Sequence, residues 1–169
     1  MAIIVKKRPK TITNRNNSTS SKMKALLFKY FRFERQMHCI SEFRCEYAND
    51  IEDLIAFTKF DRICVEIKIS KNDFLADFKT KEKHANFAKR YTKFYFCVTQ
   101  DLKDFVLEYL KEYPNYGLLI FNEIENYVAI CVAKNAKNNK VTHFIRNIDE
   151  LFLRMSSELT TLRQGVLND

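Results

Sequence analysis

The chain has 169 residues, 46% of them apolar and fifteen of them Phe, enough for one domain with a core of its own. Its formal net charge of +8 favours a polyanionic partner, nucleic acid before an anionic membrane surface. No apolar run approaches the roughly 20 residues that span a bilayer, no signal-peptide pattern opens the chain, and the five cysteines form no C-x-x-C pair. The expectation is a soluble, cytoplasmic protein with reduced core thiols, with no membrane, disulfide or zinc framework.

Residues 1–20 carry Lys6, Lys7, Arg8, Lys10 and Arg15 with no acid, and close on Asn16-Asn17-Ser18-Thr19-Ser20. They read as a disordered basic arm preceding a single domain over 21–169. Ser20 or Ser21 can cap a helix running to about Met37. Met23, Leu26, Leu27, Tyr30, Phe31 and Met37 form its apolar stripe, and Glu34 falls inside that stripe. Residues 39–47 alternate as a strand, and Ala48-Asn49-Asp50 break it.

Two further strands are expected over 51–58 and 62–69, joined by a turn near Lys59-Phe60. Ile63, Val65, Ile67 and Ile69 share one face of the later strand; Cys64, Glu66 and Lys68 share the other. A strand covered on both sides needs a reason to carry charges. In the hairpin, Asp53 falls opposite or nearly opposite Glu66. Cross-strand neighbours have Cβ atoms roughly 4.5–5.5 Å apart, and two carboxylates at ~4 Å repel by roughly 4 kcal/mol at an effective dielectric of about 20. A divalent cation turns that repulsion into attraction, and oxygen ligands on a rigid hairpin suit Mg²⁺ or Mn²⁺. Asp50, Glu52 and Asp61 are further acids nearby in sequence; Glu52, facing away from Asp53, and Asp61, in the turn, read as solvated charges.

A helix over about 72–90, with Phe74, Phe78, Ala85, Ala88 and Tyr91 on its buried face, can cross over to a strand at 93–99 parallel to the third. Lys71, Lys79, Lys81, Lys83, Lys89 and Arg90 make this helix and its flanks basic, either as a solvated face or as a surface for phosphates. His84 has no partner at metal-ligand spacing. A helix over Asp101–Glu112, strands over 117–121 and 126–133, a basic loop over 134–140 and a helix over about 147–162 complete the chain. There is no Gly-rich phosphate loop, zinc spacing, nucleophile–His–Asp set or helix-turn-helix signature.

Asp53, followed thirteen residues later by Glu66 and then Lys68, resembles the D-x(n)-E-x-K signature of the PD-(D/E)XK, or restriction-endonuclease-like, nuclease superfamily. Ser70-Lys71-Asn72-Asp73-Phe74-Leu75-Ala76-Asp77-Phe78-Lys79 and Phe94-Tyr95-Phe96-Cys97-Val98 are similar to the S-x-x-D-F-x-x-D-x-K and F-Y-F-x-V segments of its MmcB-like DNA-repair branch. The match covers about residues 51–98, with weaker correspondence to about 133. The resemblance implies an α/β fold with a restriction-endonuclease-like core: a central mixed sheet of four to six strands in αβββαβ order, flanked by helices. It implies Mg²⁺- or Mn²⁺-dependent hydrolysis of DNA, with Asp53, Glu66 and Lys68 catalytic. Asp53, Glu66 and the Ile67 carbonyl would hold the metal, and Lys71, Lys79, Lys81 and Lys83 would meet the nucleic acid. Members often add a Glu from the N-terminal half of the first helix. Ser21-Lys22-Met23-Lys24 has no acid there, so Glu34 is the substitute candidate. Such sites often need two copies to cut both strands, which makes a homodimer compatible with the chain.

Two other classes fit the same residues. One is a non-catalytic nucleic-acid-binding module whose triad is a structural ion pair. The other is a protein-interaction domain whose basic surface is incidental.

Overall fold

Six strands form one mixed sheet whose spatial order follows the chain: β1 (His38–Arg44), β2 (Ile51–Phe57), β3 (Arg62–Lys68), β4 (Lys93–Thr99), β5 (Gly117–Ile124) and β6 (Tyr127–Lys134). The computed structural model describes residues 15–44, 51–79, 81–124, 127–141 and 151–159; the expected basic arm lies outside them up to residue 14. β1, β2 and β3 make the expected antiparallel meander, β3–β4 and β4–β5 are parallel, and β5–β6 is antiparallel. The β2–β3 hairpin turns where expected, with Phe57 paired to Arg62 and the Thr58 N–H bonded to the Asp61 carbonyl at 2.8 Å.

Helices cover both faces. Against one lies α1 (Arg15–Lys29), with Met23, Leu27 and Phe31 packed on Leu54, Ala56, Ile63, Val65 and Ile67. Against the other lie α2 (Lys71–Asp77), α3 (Lys81–Arg90), α4 (Lys103–Tyr109) and a last helix, α5 (residues 151–159). Phe74, Phe87, Phe94, Phe96 and Tyr116 fill that layer, with the Phe74 and Phe96 rings 4.9 Å apart edge to face. β3 and β4 are buried along both faces, as their near-continuous apolar runs require.

The helices depart from expectation in three places. α1 begins at Arg15, inside the stretch expected to be an arm, and ends in a π-helical turn over Tyr30–Glu34 where the Arg35 N–H reaches the Tyr30 carbonyl at 3.1 Å. The expected helix over 72–90 is two. Ser70 caps α2 by accepting from the Asp73 N–H at 3.2 Å, and the chain turns at Phe78–Lys79 before α3 starts. The break resets the register, so α3 buries Phe87 and Arg90 while Ala85 is exposed; Tyr91, just after the helix, is buried as expected. The β1 edge is closed by α5: the Ser41 N–H donates to Glu158, and Arg154 Nε donates to the Ser41 carbonyl at 2.8 Å.

Glu52 corrects the sequence reading most sharply. It is 0% exposed and pairs at 3.0 Å with Arg90, itself buried beside Phe87 and Tyr91. Glu52 therefore lies on the face of Ile55, three residues on, where strict alternation would place it on the other. The alternation slips at Asp53. On β1, Glu42 adopts a φ of 50° and drops out of the ladder while Ser41 and Phe43 stay paired to Leu54 and Glu52. The slip in both strands at one level has the character of a bulge.

Two stability measurements test this packing. A Cβ on Gly117 would strike the Tyr95 ring and come within 2.7 Å of the Ala136 nitrogen, so Gly117→Ala should cost about 1–3 kcal/mol in urea unfolding. Glu52→Ala leaves the Arg90 guanidinium buried without its carboxylate and should cost about 3–5 kcal/mol, whereas Glu52→Leu with Arg90→Met should recover a large part of it.

Candidate active site

β2, β3 and α2 converge on one cluster of charged side chains. The β2–β3 pairing ends at Leu54 and Val65, one step short of Asp53 and Glu66. Asp53 does not continue the ladder with its backbone. Its Oδ2 accepts the Ile67 N–H at 2.8 Å. A strand residue directs its N–H and C=O toward the same neighbour, so the Ile67 carbonyl lies on the Asp53 side as well. This bond is made at the level where the alternation of β2 slips.

Glu66 and Lys68 share the β3 face that turns toward α2, 2% and 6% exposed respectively. The Lys68 Nζ lies 3.3 Å from Glu66 Oε2, 3.0 Å from Asp77 Oδ2 and 3.9 Å from Asp73 Oδ1. Asp73 and Asp77 occur four residues apart on α2 and so share its inner face. Asp77 is buried at the helix end and Asp73 is exposed in the first turn. One ammonium is thus shared among three carboxylates on two elements. Burial alone would lower the Lys68 pKa, but Glu66, Asp77 and Asp73 more than offset it and hold the group above the ordinary lysine range. The Cys64 thiol, on the same strand face as Glu66, is pushed well up by burial and then by the carboxylates of Glu66 and Glu52, so it stays a protonated core thiol.

Asp77 also anchors the next helix. His84 Nε2 lies 2.9 Å from the Asp77 carbonyl, and its ring stacks on Phe78 at 4.6 Å and on Tyr116 at 5.4 Å. The imidazole is a packed strut between α2, α3 and the α4–β5 connection.

Glu34 does not join the cluster. It is exposed in the π-helical turn that follows α1, the helix packed on the opposite face of the sheet from Glu66 and Lys68. Among the described residues, no three His, Cys, Asp or Glu side chains are grouped to hold a metal. The donors at hand are the Asp53 and Glu66 carboxylates and the Ile67 carbonyl. That is a fitting set for Mg²⁺, which takes one or two protein carboxylates and keeps the rest of its shell for water and phosphate.

Lys71 and Lys79 are exposed at the two ends of α2, and the Lys71 ammonium lies 5.0 Å over the Phe105 ring. Lys81 and Lys83 belong to α3, with side chains outside the described residues. Of the α1 cations, Lys22 pairs with Glu123 and Lys24 with Glu42, each at 2.8 Å. Asp77 is the site residue that spacing alone left unassigned. The i, i+4 acids following a Ser cap and a strand that ends in lysine were the signal for it.

No family model matches the chain, and no curated protein matches it. A solved structure, the SPO1766 protein of unknown function from Silicibacter pomeroyi, aligns with a TM-score of 0.55 over 87% of this chain and 89% of its own, at 16% identity. That likeness shows a shared α/β fold. No helix among the described residues is long and apolar enough to cross a membrane.

Lys68, Cys64 and Tyr91 all hold their protons more tightly in the fold than their ordinary values of 10.5, 9.0 and 10.0. The unfolded chain therefore loses these protons first as pH rises. Stability from these groups is complete below about pH 8 and should decline progressively above pH 9. Urea titrations from pH 7 to 11 should show that decline, and Tyr91→Phe should reduce its slope above pH 10; a flat profile would contradict the assignment.

Proposed function

We propose that the chain hydrolyses phosphodiester bonds of DNA with Mg²⁺ or Mn²⁺, on a restriction-endonuclease-like core, in DNA repair or processing. The observation that carries this is the placement of three residues around one strand: Glu66 and Lys68 buried side by side on β3, with Asp53 reaching across from β2 to the Ile67 N–H. Buried charges of this kind are costly as pure scaffolding, and their order along the chain is that of the D-x(n)-E-x-K signature. The αβββ start, the parallel β4 and the flanking helices support the same reading.

Asp53 and Glu66, with the Ile67 carbonyl, would hold the cation. When bound, a divalent ion polarises the phosphoryl oxygen and lowers the pKa of an attacking water. The chain's own part is to fix the reacting groups. Asp53, tied to the β3 backbone, and Glu66, packed under α2, hold two oxygens in a set relation with little freedom to lose. The Lys68 ammonium, kept protonated by its carboxylate neighbours, donates to the scissile phosphate as negative charge builds on its oxygens. The water oxygen forms the new P–O bond and releases a proton to solvent, the bond to the leaving sugar oxygen breaks, and that oxygen takes up a proton from solvent. Lys71 and Lys79 at the ends of α2, with Lys81 and Lys83 following, form the basic stretch beside the site that would meet the flanking phosphates.

A non-catalytic DNA-binding module on the same fold is the second reading. It is favoured by Lys68 being already engaged by Asp77 and Glu66 at 3.0 and 3.3 Å, as a purely structural ion network would be. The two readings separate in one assay. With labelled duplex and single-stranded DNA, the wild type should cut in Mg²⁺ or Mn²⁺ and not in EDTA. Glu66→Gln should lose at least about a hundredfold in rate, comparable to losing a main electrostatic contributor, while its DNA affinity stays within a few-fold. Binding with no cutting in any metal would favour the module, and a Glu66→Gln variant as active as wild type would sink the site assignment.

A further inference from the structure

We infer that Asp77 is a positioning residue for hydrolysis: the carboxylate on α2 that aims the Lys68 ammonium at the scissile phosphate. This deepens the nuclease reading and rests on it. Lys68 is the last residue of its strand, and a lysine side chain has four rotatable bonds, so the strand alone does not fix where its ammonium points. Of the three carboxylates around it, Asp77 makes the shortest contact, at 3.0 Å against 3.3 Å for Glu66 and 3.9 Å for Asp73. It is also the one held from behind. Asp77 is 8% exposed, its backbone carbonyl meets His84 Nε2 at 2.9 Å, and Phe74 and Phe78 on either side of it pack into the aromatic layer.

The chemistry gives this division of labour a purpose. If Glu66 serves the metal, its hold on Lys68 weakens as its charge is shared with the cation. A second carboxylate outside the metal set then keeps the ammonium extended and in register. Asp77 acts by orienting Lys68, the residue it contacts. By analogy with the outer partners that orient metal ligands, a carboxylate that orients Lys68 is worth roughly 10- to 100-fold in activity.

Asp77→Asn keeps the shape and removes the charge. Its turnover should fall about 10- to 100-fold, with KM for DNA within about threefold of wild type, because a misaimed lysine harms the transition state more than the ground state. Asp77→Glu should recover most of the loss. Val106→Ala, a truncation in the same buried layer but on α4 and not on the helix that carries Asp77, serves as the control for simple destabilisation, with all rates taken per folded molecule. A wild-type rate in Asp77→Asn, or an equal fall in Val106→Ala, would overturn the inference and leave the nuclease reading standing. A wild type inert in every metal would overturn that reading and this inference with it.

Discussion

The burial of one ammonium group under a two-turn helix organises this molecule's charged centre. Opposite charges 3 Å apart attract by roughly 5 kcal/mol at an effective dielectric of about 20, while withdrawing each ion from water costs several kcal/mol. The Lys68 cluster is therefore a poor source of net stability and a strong source of specificity. α2 can dock in one way, with Asp77 on Lys68 and Phe74 on Phe96. The crossover that follows it must then deliver β4 beside β3, in the register that pairs Glu66 with Phe96 and Lys68 with Val98. A hydrophobic pair in place of Lys68 and Asp77 would hold the helix as well; that the chain keeps ions there is what the proposed chemistry accounts for.

A second buried pair lies on the strand that carries Asp53. Glu52 turns inward to Arg90, and this displaces the alternation of β2 by one step just before Asp53. Without the slip, Asp53 would be an ordinary ladder residue. With it, the side chain substitutes for a strand partner and takes the Ile67 N–H. Glu52–Arg90 fixes the strand residue next to Asp53, and Asp77 with Glu66 holds Lys68.

How much of this was legible in the sequence follows from the range of each interaction. The hairpin, its turn at Lys59-Phe60 and the face shared by Glu66 and Lys68 depend on period two and on a short loop, and the spacing conveys both. The parallel β4 follows from the length and character of the crossover. The site's remaining parts depend on contacts distant in the chain. Glu52 looks like a surface acid until Arg90, thirty-eight residues later, is brought beneath it. Glu34 falls on the apolar stripe of a regular helix, but the π-helical turn alters the register and leaves it in solvent. The break at Phe78–Lys79 depends on the local competition between a Ser-capped short helix and a continuous one. Period alone favours the continuous helix and so misassigns the inner face of α3.

The most direct test of the central claim, that Asp53, Glu66 and the Ile67 carbonyl form a divalent-cation site, is a Mn²⁺ titration of isotope-labelled protein followed by NMR. The paramagnetic ion broadens signals near it regardless of turnover. The account predicts broadening centred on Asp53, Glu66 and Ile67, spreading to Lys68 and Asp77, and reversed by excess Mg²⁺. Broadening centred elsewhere, or none at millimolar Mn²⁺, would contradict it.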